Sequence, residues 1–181
     1  LLEGALPQWQ VDEALSQLQP LFGEAPDPRV KSIKSGQKDT KRKQLKMDEH
    51  EAEIFGDFKE VLQEAGFSKD YSLSEFNVIH SLPGCVAQKM HWDYDPTVVR
   101  YKRRKPCSAI LALSAGARLY VRDTHLGMDV TVLIPPGAIM IFDGDVAHAG
   151  ASYAGPNTRV HLYLDVPGVA RDQDYTWFPG M

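Results

Sequence analysis

Residues 135–148 have the sequence PPGAIMIFDGDVAH, and this stretch decides the fold. A Pro-Pro-Gly turn precedes a short apolar run, and an Asp-Gly-Asp turn separates that run from His148. This order is a turn, a buried strand, a second turn and then one polar side chain. It is typical of a β-barrel strand that directs a residue into the barrel cavity. We therefore predict a β core with His148 pointing into its interior.

Short β-like runs surround this stretch. After Gly66, helical periodicity gives way to apolar runs separated by Gly and Pro. The predicted strands are residues 76–79, 86–93, 108–113, 118–121, 130–134, 138–142 and 159–166. In the last run Val160, Leu162 and Leu164 alternate with polar residues, so we expect an outward apolar face against helices and a polar face in the barrel mouth.

The N-terminal part has a different pattern. Residues 11–22 and 47–65 carry apolar residues at helical spacing and are predicted helices, whereas the polar residues 23–44 are predicted to form a long loop. The predicted fold class is α+β, with a jelly-roll, cupin-like core and the N-terminal helices packed on one side of it.

One domain accounts for the length of the chain. We predict a single domain over residues 1–181, with residues 1–70 as a helical support that carries a basic loop and residues 71–181 as the β core. No apolar run reaches the length of a membrane span, so we do not expect a membrane protein. With Cys85 and Cys107 as the only cysteines, we expect an intracellular protein, cytoplasmic or nuclear.

The net charge of −4 argues against a uniformly basic nucleic-acid binder. The basic residues are nevertheless concentrated in two segments, residues 29–46 and 100–105, and acidic residues elsewhere hide both clusters in the sum.

Three residues form a candidate metal site. His91 and Asp93 are two positions apart in a predicted strand, so their side chains project from the same face. Together with His148 they supply two imidazoles and one carboxylate, a facial triad typical of non-haem Fe(II) oxygenases. Fe(II) in this site keeps a net charge of about +1, so an anionic bidentate keto acid and dioxygen can still bind.

Arg159 offers a partner for the far end of such a keto acid. It follows His148 by eleven residues in a predicted strand. A planar guanidinium forms paired hydrogen bonds with a carboxylate, as a second carboxylate on the co-substrate would require.

The pattern of His91, Asp93, His148 and Arg159 resembles the Fe(II)/2-oxoglutarate-dependent dioxygenase superfamily, whose core is a double-stranded β-helix. The resemblance covers roughly residues 76–167. It implies that the first three residues bind Fe(II) and that Arg159 pairs with the distal carboxylate of 2-oxoglutarate. It also implies that dioxygen and 2-oxoglutarate are consumed while a second substrate is hydroxylated or oxidatively demethylated.

Further candidates surround these four residues. His161 shares a strand face with Arg159 and is a candidate contact to 2-oxoglutarate, as are Asn77 and Ser108. Candidate contacts to the primary substrate are Trp92, Tyr94, Arg103 and Arg104.

The identity of the primary substrate stays open between a nucleic acid, a peptide and a small molecule. A basic loop after Asp93 favours an anionic partner such as nucleic acid. The alkylation-repair branch of the superfamily, however, carries an Arg-x-Asn motif, whereas Val160 and His161 follow Arg159 here.

Two other functions compete with the oxygenase. A cupin-type metal enzyme acting on a small molecule without a keto acid would give Arg159 no special role. A non-catalytic jelly-roll binding module would bind its ligand equally well after metal removal.

Overall fold

A computed structural model of the chain describes residues 1–34, 38–48, 50–56, 58–67, 70–169, 171 and 176–178. Within those residues the helices are α1 (Gln8–Leu18), α2 (Phe58–Glu64) and α3 (Pro96–Val99), with short 3₁₀ helices at Gln19–Phe22 and Glu51–Phe55. The strands are β1 (Lys31–Lys34), β2 (Lys38–Met47), β3 (Ser72–Ser81), β4 (Cys107–Ala112), β5 (Ala117–Asp123), β6 (Met128–Ile134), β7 (Ile139–Asp143), β8 (His148–Gly150) and β9 (Asn157–Asp165). No helix in this part of the chain is both long and apolar enough to span a bilayer.

The strands form two antiparallel sheets. The larger has the order β1-β2-β3-β9-β4-β7 and the smaller has the order β6-β5-β8. Residues 85–92 run alongside β8, because single bridges join Cys85 to Tyr153 and His91 to His148. This irregular segment lies beside β8, the edge strand of the smaller sheet, and its polar residues lie next to the start of β8.

The two faces of β9 have opposite environments, as the sequence predicts. Val160, Leu162 and Leu164 are buried in a hydrophobic cluster that also contains Val11 and Leu18 of α1, so the outward packing against the N-terminal helices is confirmed. The other face of the strand lies between the sheets. It carries the candidate co-substrate residues, which are described below.

The predicted loop over residues 23–44 is wrong. Strands β1 and β2 form an antiparallel hairpin there, and β2 continues the large sheet by pairing with β3. Leu45 lies opposite Val78, and both are completely buried in the outer cluster. Tertiary pairing thus overrides a lysine-rich composition that is unfavourable for a strand in isolation.

The predicted helix over residues 47–65 is also wrong in its length. Met47 ends β2, and the helical part is divided into a 3₁₀ helix and α2. Gly56 lies between them with φ +77, and a Cβ at this position would approach Gln10 Nε2 to 2.7 Å. A glycine in this left-handed conformation interrupts the helix.

Two smaller differences concern other predicted elements. Residues 11–22 are helical, but α1 ends at Leu18 and Pro20 lies in the 3₁₀ helix that follows. Residues 86–93 do not form a regular strand, and their contacts to β8 are isolated bridges. The unpredicted helix α3 begins after Asp95, whose carboxylate accepts a hydrogen bond from Thr97 N at 2.8 Å.

Candidate metal centre and co-substrate pocket

Backbone pairing between two segments places the candidate metal ligands together. His91 N donates to His148 O, and His148 N donates to His91 O, both at 2.9 Å. The two imidazole rings therefore lie side by side, with their centroids 4.6 Å apart. One ligand atom from each of His91, Asp93 and His148 lies within 4.8 Å of the other two.

Hydrogen bonds to backbone carbonyls select the tautomer of both histidines. His91 Nδ1 lies 2.7 Å from Lys89 O, and His148 Nδ1 lies 3.2 Å from Val146 O. Since a carbonyl oxygen only accepts, each Nδ1 carries the hydrogen and each Nε2 keeps its lone pair. These Nε2 atoms lie 3.9 Å (His91) and 3.4 Å (His148) from the Asp93 carboxylate. Two lone pairs and a carboxylate thus converge on one point.

The protonation states of His148 and Asp93 suit a divalent cation. Burial lowers the pKa of His148, which favours the neutral imidazole, and the Asp93 carboxylate only partly opposes this effect. Burial alone would raise the pKa of Asp93, but the neighbouring His148, His161 and His91 outweigh it and hold that pKa well below its ordinary value. A metal ion requires neutral imidazoles and an ionised carboxylate. The donor set and its protonation therefore fit Fe(II).

Ser108 holds the carboxylate of the triad. Its Oγ donates to Asp93 Oδ2 at 2.6 Å, and Ser108 itself is fully buried on β4. The hydrogen bond orients the carboxylate, whose Oδ1 lies 3.9 Å from His91 Nε2 and whose Oδ2 lies 3.4 Å from His148 Nε2. The structure thus brings Ser108 to Asp93, and the contact to 2-oxoglutarate that the sequence suggested stays a prediction.

We expect the Ser108→Ala variant to bind Fe(II) about 10- to 100-fold more weakly, because partners that orient a metal ligand typically contribute that much affinity. Anaerobic competition with a chelator measures the change. Ser114→Ala is a matched control, since Ser114 Oγ accepts a hydrogen bond from Thr158 N at 2.9 Å in β9 without touching the triad. Equal metal affinities for the two variants would contradict an orienting role for Ser108.

His161 and Asn77 lie between the triad and Arg159 on the inner face of the large sheet, opposite each other in the pairing of β3 with β9. His161 Nε2 is buried, lies 3.3 Å from Asp93 Oδ2 and has no hydrogen-bond partner. Asn77 Oδ1 accepts from Gln44 Nε2 at 2.6 Å, and Asn77 Nδ2 donates to Glu75 O at 3.1 Å. Contact of either residue with 2-oxoglutarate stays a prediction.

Arg159 is a buried cation that has no acidic partner among the described residues. Its side chain is on the same face of β9 as His161, only 2% of the residue is exposed, and Nη1 donates to Ser81 Oγ at 3.1 Å. The Tyr153 ring lies 5.5 Å from the guanidinium. Burial lowers the pKa of Arg159 to about 10, so the group stays charged at neutral pH. Among the described residues no carboxylate forms an ion pair with it, which leaves its charge for a ligand.

The structure places the two aromatic candidates differently. Trp92 is half-buried beside the triad, and its Nε1 donates to Asp145 O at 3.1 Å. Tyr94 is 1% exposed and its hydroxyl donates to Asp165 Oδ1 at 2.7 Å, so it packs in the core, and the contact of either aromatic residue with a substrate stays a prediction. Burial and the Asp165 carboxylate raise the pKa of Tyr94, which keeps the phenol neutral.

Arg103 and Arg104 line a separate open cavity of about 850 Å³, together with Asp70 and Tyr71. Arg104 is paired with Asp70. The structure does not bring either arginine to the triad, so their contact with a substrate stays a prediction.

Sequence reasoning missed two buried polar residues near Arg159, namely Arg42 and Ser81. Arg42 was assigned to the basic loop, yet it is completely buried on β2, directly opposite Ser81 of β3. Only the alternation of Arg42 and Gln44 with the apolar Leu45 and Met47 could have indicated a strand with a polar inner face.

No family model matches this chain, and no curated protein matches it in sequence. Solved structures do match. A prolyl-4-hydroxylase from Pseudomonas putida has a TM-score of 0.68 at 16% identity, over 91% of this chain and 90% of its own. HygX from Streptomyces hygroscopicus, with nickel and 2-oxoglutarate bound, has a TM-score of 0.68 at 11% identity, over 93% and 82%.

The non-heme alpha-ketoglutarate-dependent epimerase SnoN from nogalamycin biosynthesis has a TM-score of 0.65 at 15% identity, over 99% of this chain and 89% of its own. Each match covers nearly the whole chain at an identity that establishes the fold alone. The predicted α+β fold with a double-stranded β-helix core is therefore confirmed.

Proposed function

We propose that this protein is an Fe(II)- and 2-oxoglutarate-dependent oxygenase that hydroxylates or oxidatively demethylates a second substrate. The observation that carries the proposal is the pairing of two sites on one inner surface. Two imidazoles and a carboxylate converge within 4.8 Å, and the buried Arg159 has no acidic partner in the part of the chain that the structure describes. The shared fold with HygX, which binds nickel and 2-oxoglutarate, and with SnoN supports it.

Each residue has a defined task in this proposal. His91, Asp93 and His148 would hold Fe(II), which when bound supplies the activation of dioxygen. Arg159 would bind the distal carboxylate of 2-oxoglutarate and so orient the keto acid toward the triad. In the overall reaction 2-oxoglutarate loses CO₂ to become succinate, and dioxygen delivers one atom to succinate and the other to the substrate.

Apolar side chains between the sheets would keep bulk water from the reacting groups. The Phe142 ring lies 4.7 Å from the His148 ring, and Phe142 belongs to an inner hydrophobic cluster with Ile110, Leu119 and Met140. An apolar wall of this kind lowers the local dielectric constant and so strengthens the interaction of Arg159 with a carboxylate.

Succinate formation tests the proposal. Protein supplied with Fe(II), 2-oxoglutarate and dioxygen should release succinate slowly by itself and faster with its substrate, which panels of peptides, nucleic acids and small molecules would identify. A protein that binds Fe(II) but turns over a small molecule without any keto acid would instead be the cupin-type enzyme. A ligand bound equally well after chelation of the metal would indicate the binding module.

An anionic substrate stays a proposal that rests on the basic loop at residues 100–105. The loop is less positive than its sequence suggests, because Lys105 Nζ lies 2.7 Å from Asp145 Oδ2 and Arg104 is paired with Asp70. Peptides and small molecules are therefore equal alternatives.

If nucleic acid is the substrate, oligonucleotide affinity should fall steeply with added salt, and the Arg103→Ala/Arg104→Ala variant should flatten that slope by about one unit per lost phosphate contact. Binding of single- and double-stranded oligonucleotides over a salt series measures this. Arg122→Ala is the control, since Arg122 is exposed on β5 and paired with Asp129. No oligonucleotide binding at low salt would exclude nucleic acid and leave the metal chemistry untouched.

We also propose an intracellular location and a single domain. Cys85 and Cys107 are both buried free thiols, which suits a reducing compartment. The described helices α1 and α2 share one hydrophobic cluster with the large sheet, which supports a single folding unit.

A further inference from the structure

Two buried arginines reach the same place in the barrel from different strands. Arg42 on β2 lies directly opposite Ser81, whose hydroxyl accepts the hydrogen bond from Arg159 Nη1. Arg42 Nη2 donates to Ala151 O at 2.8 Å. A Cβ added at Gly150, the residue before Ala151, would lie 3.2 Å from Arg159 Nη2. Both guanidinium groups therefore border the backbone at residues 150–151, and Arg159 also contacts Ser81.

The acidic side chains around this pair do not balance its charge. Arg42 is completely buried and Arg159 is 2% exposed, and among the described residues the acidic group that pairs with them is Asp39, whose Oδ2 lies 3.5 Å from Arg42 Nη1. Within the same part of the chain neither atom of this ion pair makes a hydrogen bond, and Arg42 Nε has no hydrogen-bond partner. Two positive charges and one negative charge thus lie in a region of low dielectric constant, where an unbalanced charge is expensive.

We propose that Arg42 is a second cation of the co-substrate site, which makes the pocket select keto acids with a distal carboxylate, and that Asp39 limits this effect. The inference rests on the proposed function. One carboxylate placed against Arg159 would neutralise the group of Arg42, Asp39 and Arg159. Arg42 would act through its electric field, because its own hydrogen bonds go to backbone carbonyls. Burial is the main cause that lowers the pKa of Arg159 to about 10, and the like charge of Arg42 adds a smaller effect in the same direction, which is consistent with this proximity.

A purely structural role is the competing explanation. Arg42 Nη2 also donates to Val86 O at 3.0 Å, so Arg42 ties the segment that leads to His91 to the chain that follows β8. Loss of such a tie would weaken the binding of metal and of every keto acid alike. The electrostatic role instead requires that only keto acids with a distal carboxylate change in affinity. Removing the charge of Arg42 should weaken their binding, and removing the charge of Asp39 should strengthen it.

The experiment compares two keto acids by anaerobic calorimetry on the Fe(II)-loaded protein. 2-Oxoglutarate has a distal carboxylate, whereas pyruvate has the same chelating end without it. We expect Asp39→Asn to tighten 2-oxoglutarate binding about three- to tenfold and Arg42→Met to weaken it about tenfold or more, with pyruvate binding changed by neither. Arg42→Lys should keep most of the discrimination, because the charge remains.

Matched controls come from the exposed Arg122–Asp129 pair on β5 and β6. Arg122→Met and Asp129→Asn change the net charge of the chain equally, and both should leave the ratio of the two affinities unchanged. Weaker or equal 2-oxoglutarate binding by Asp39→Asn would overturn the inference, and this variant decides the matter even if Arg42→Met does not fold. A parent protein that binds 2-oxoglutarate no better than pyruvate would overturn the proposed function and, with it, this inference.

Discussion

The His148→Ala variant should lose Fe(II) binding and the weak visible absorption band that an Fe(II)–2-oxoglutarate chelate gives without dioxygen. His148 Nε2 is one of three donors that converge within 4.8 Å, and its lone pair is directed there by the Nδ1 contact with Val146 O. Alanine removes a ligand itself, so the loss should exceed the roughly 10- to 100-fold effect of removing a partner that only orients a ligand. Asp93→Ala should have the same effect.

Chelator competition and anaerobic absorption spectra measure both losses. His80→Ala is the matched control, because His80 is a half-buried histidine of β3 that contacts Thr158 Oγ1 at 2.9 Å and stacks on Phe22, away from the triad. Manganese and zinc should compete for the site in the order expected for first-row ions without supporting turnover. Intact Fe(II) affinity after replacement of all three triad residues by alanine would show that the metal binds elsewhere.

The parts of the fold that sequence predicted well depend on alternation along a single strand. In β9 the apolar residues Val160 and Leu162 pack outward and the polar Arg159 and His161 face inward, as their period of two requires. The sequence also placed His91 and Asp93 on one face because they are two positions apart, and both do converge with His148. Residues 86–93 are not a regular strand, and the bridge between His91 and His148 fixes the two segments relative to each other instead.

The missed parts depend on partners that are distant in sequence. The lysine-rich segment β2 forms a strand because it pairs with β3, where Val78 lies opposite Leu45. The sequence of residues 38–47 does not indicate that partner. Arg42 is buried because the carbonyls of Val86 and Ala151 accept its hydrogens, whereas charged side chains are otherwise expected at the surface. Alternation also places Ser108 on an inner face, but it does not reveal that Asp93 lies 2.6 Å away.

We expect the Arg159→Ala variant to require far more 2-oxoglutarate while its Fe(II) affinity stays near that of the parent. Arg159 is separated from the triad by His161 and makes no contact with His91, Asp93 or His148 in the described structure, so the metal ligands should be unaffected. Removing one partner of a buried, charge-assisted ion pair costs about 2–5 kcal/mol. The dissociation constant of 2-oxoglutarate should therefore rise by about thirtyfold or more.

Two further variants separate loss of the charge from loss of packing. Arg159 and Arg118 both have their guanidinium carbon 5.5 Å from the centre of the Tyr153 ring, but Arg118 Nη2 donates to Ser152 O instead of the buried Ser81. Arg118→Ala removes a similar stacking contact and should leave 2-oxoglutarate binding unchanged. Arg159→Lys keeps a positive charge without the bidentate fork, so its affinity should fall between those of the parent and Arg159→Ala. Titrations of the metal-loaded variants measure the series. Parent-like 2-oxoglutarate binding by Arg159→Ala would favour a cupin-type enzyme, because Arg159, which has no acidic partner among the described residues, would then have no keto-acid carboxylate to bind.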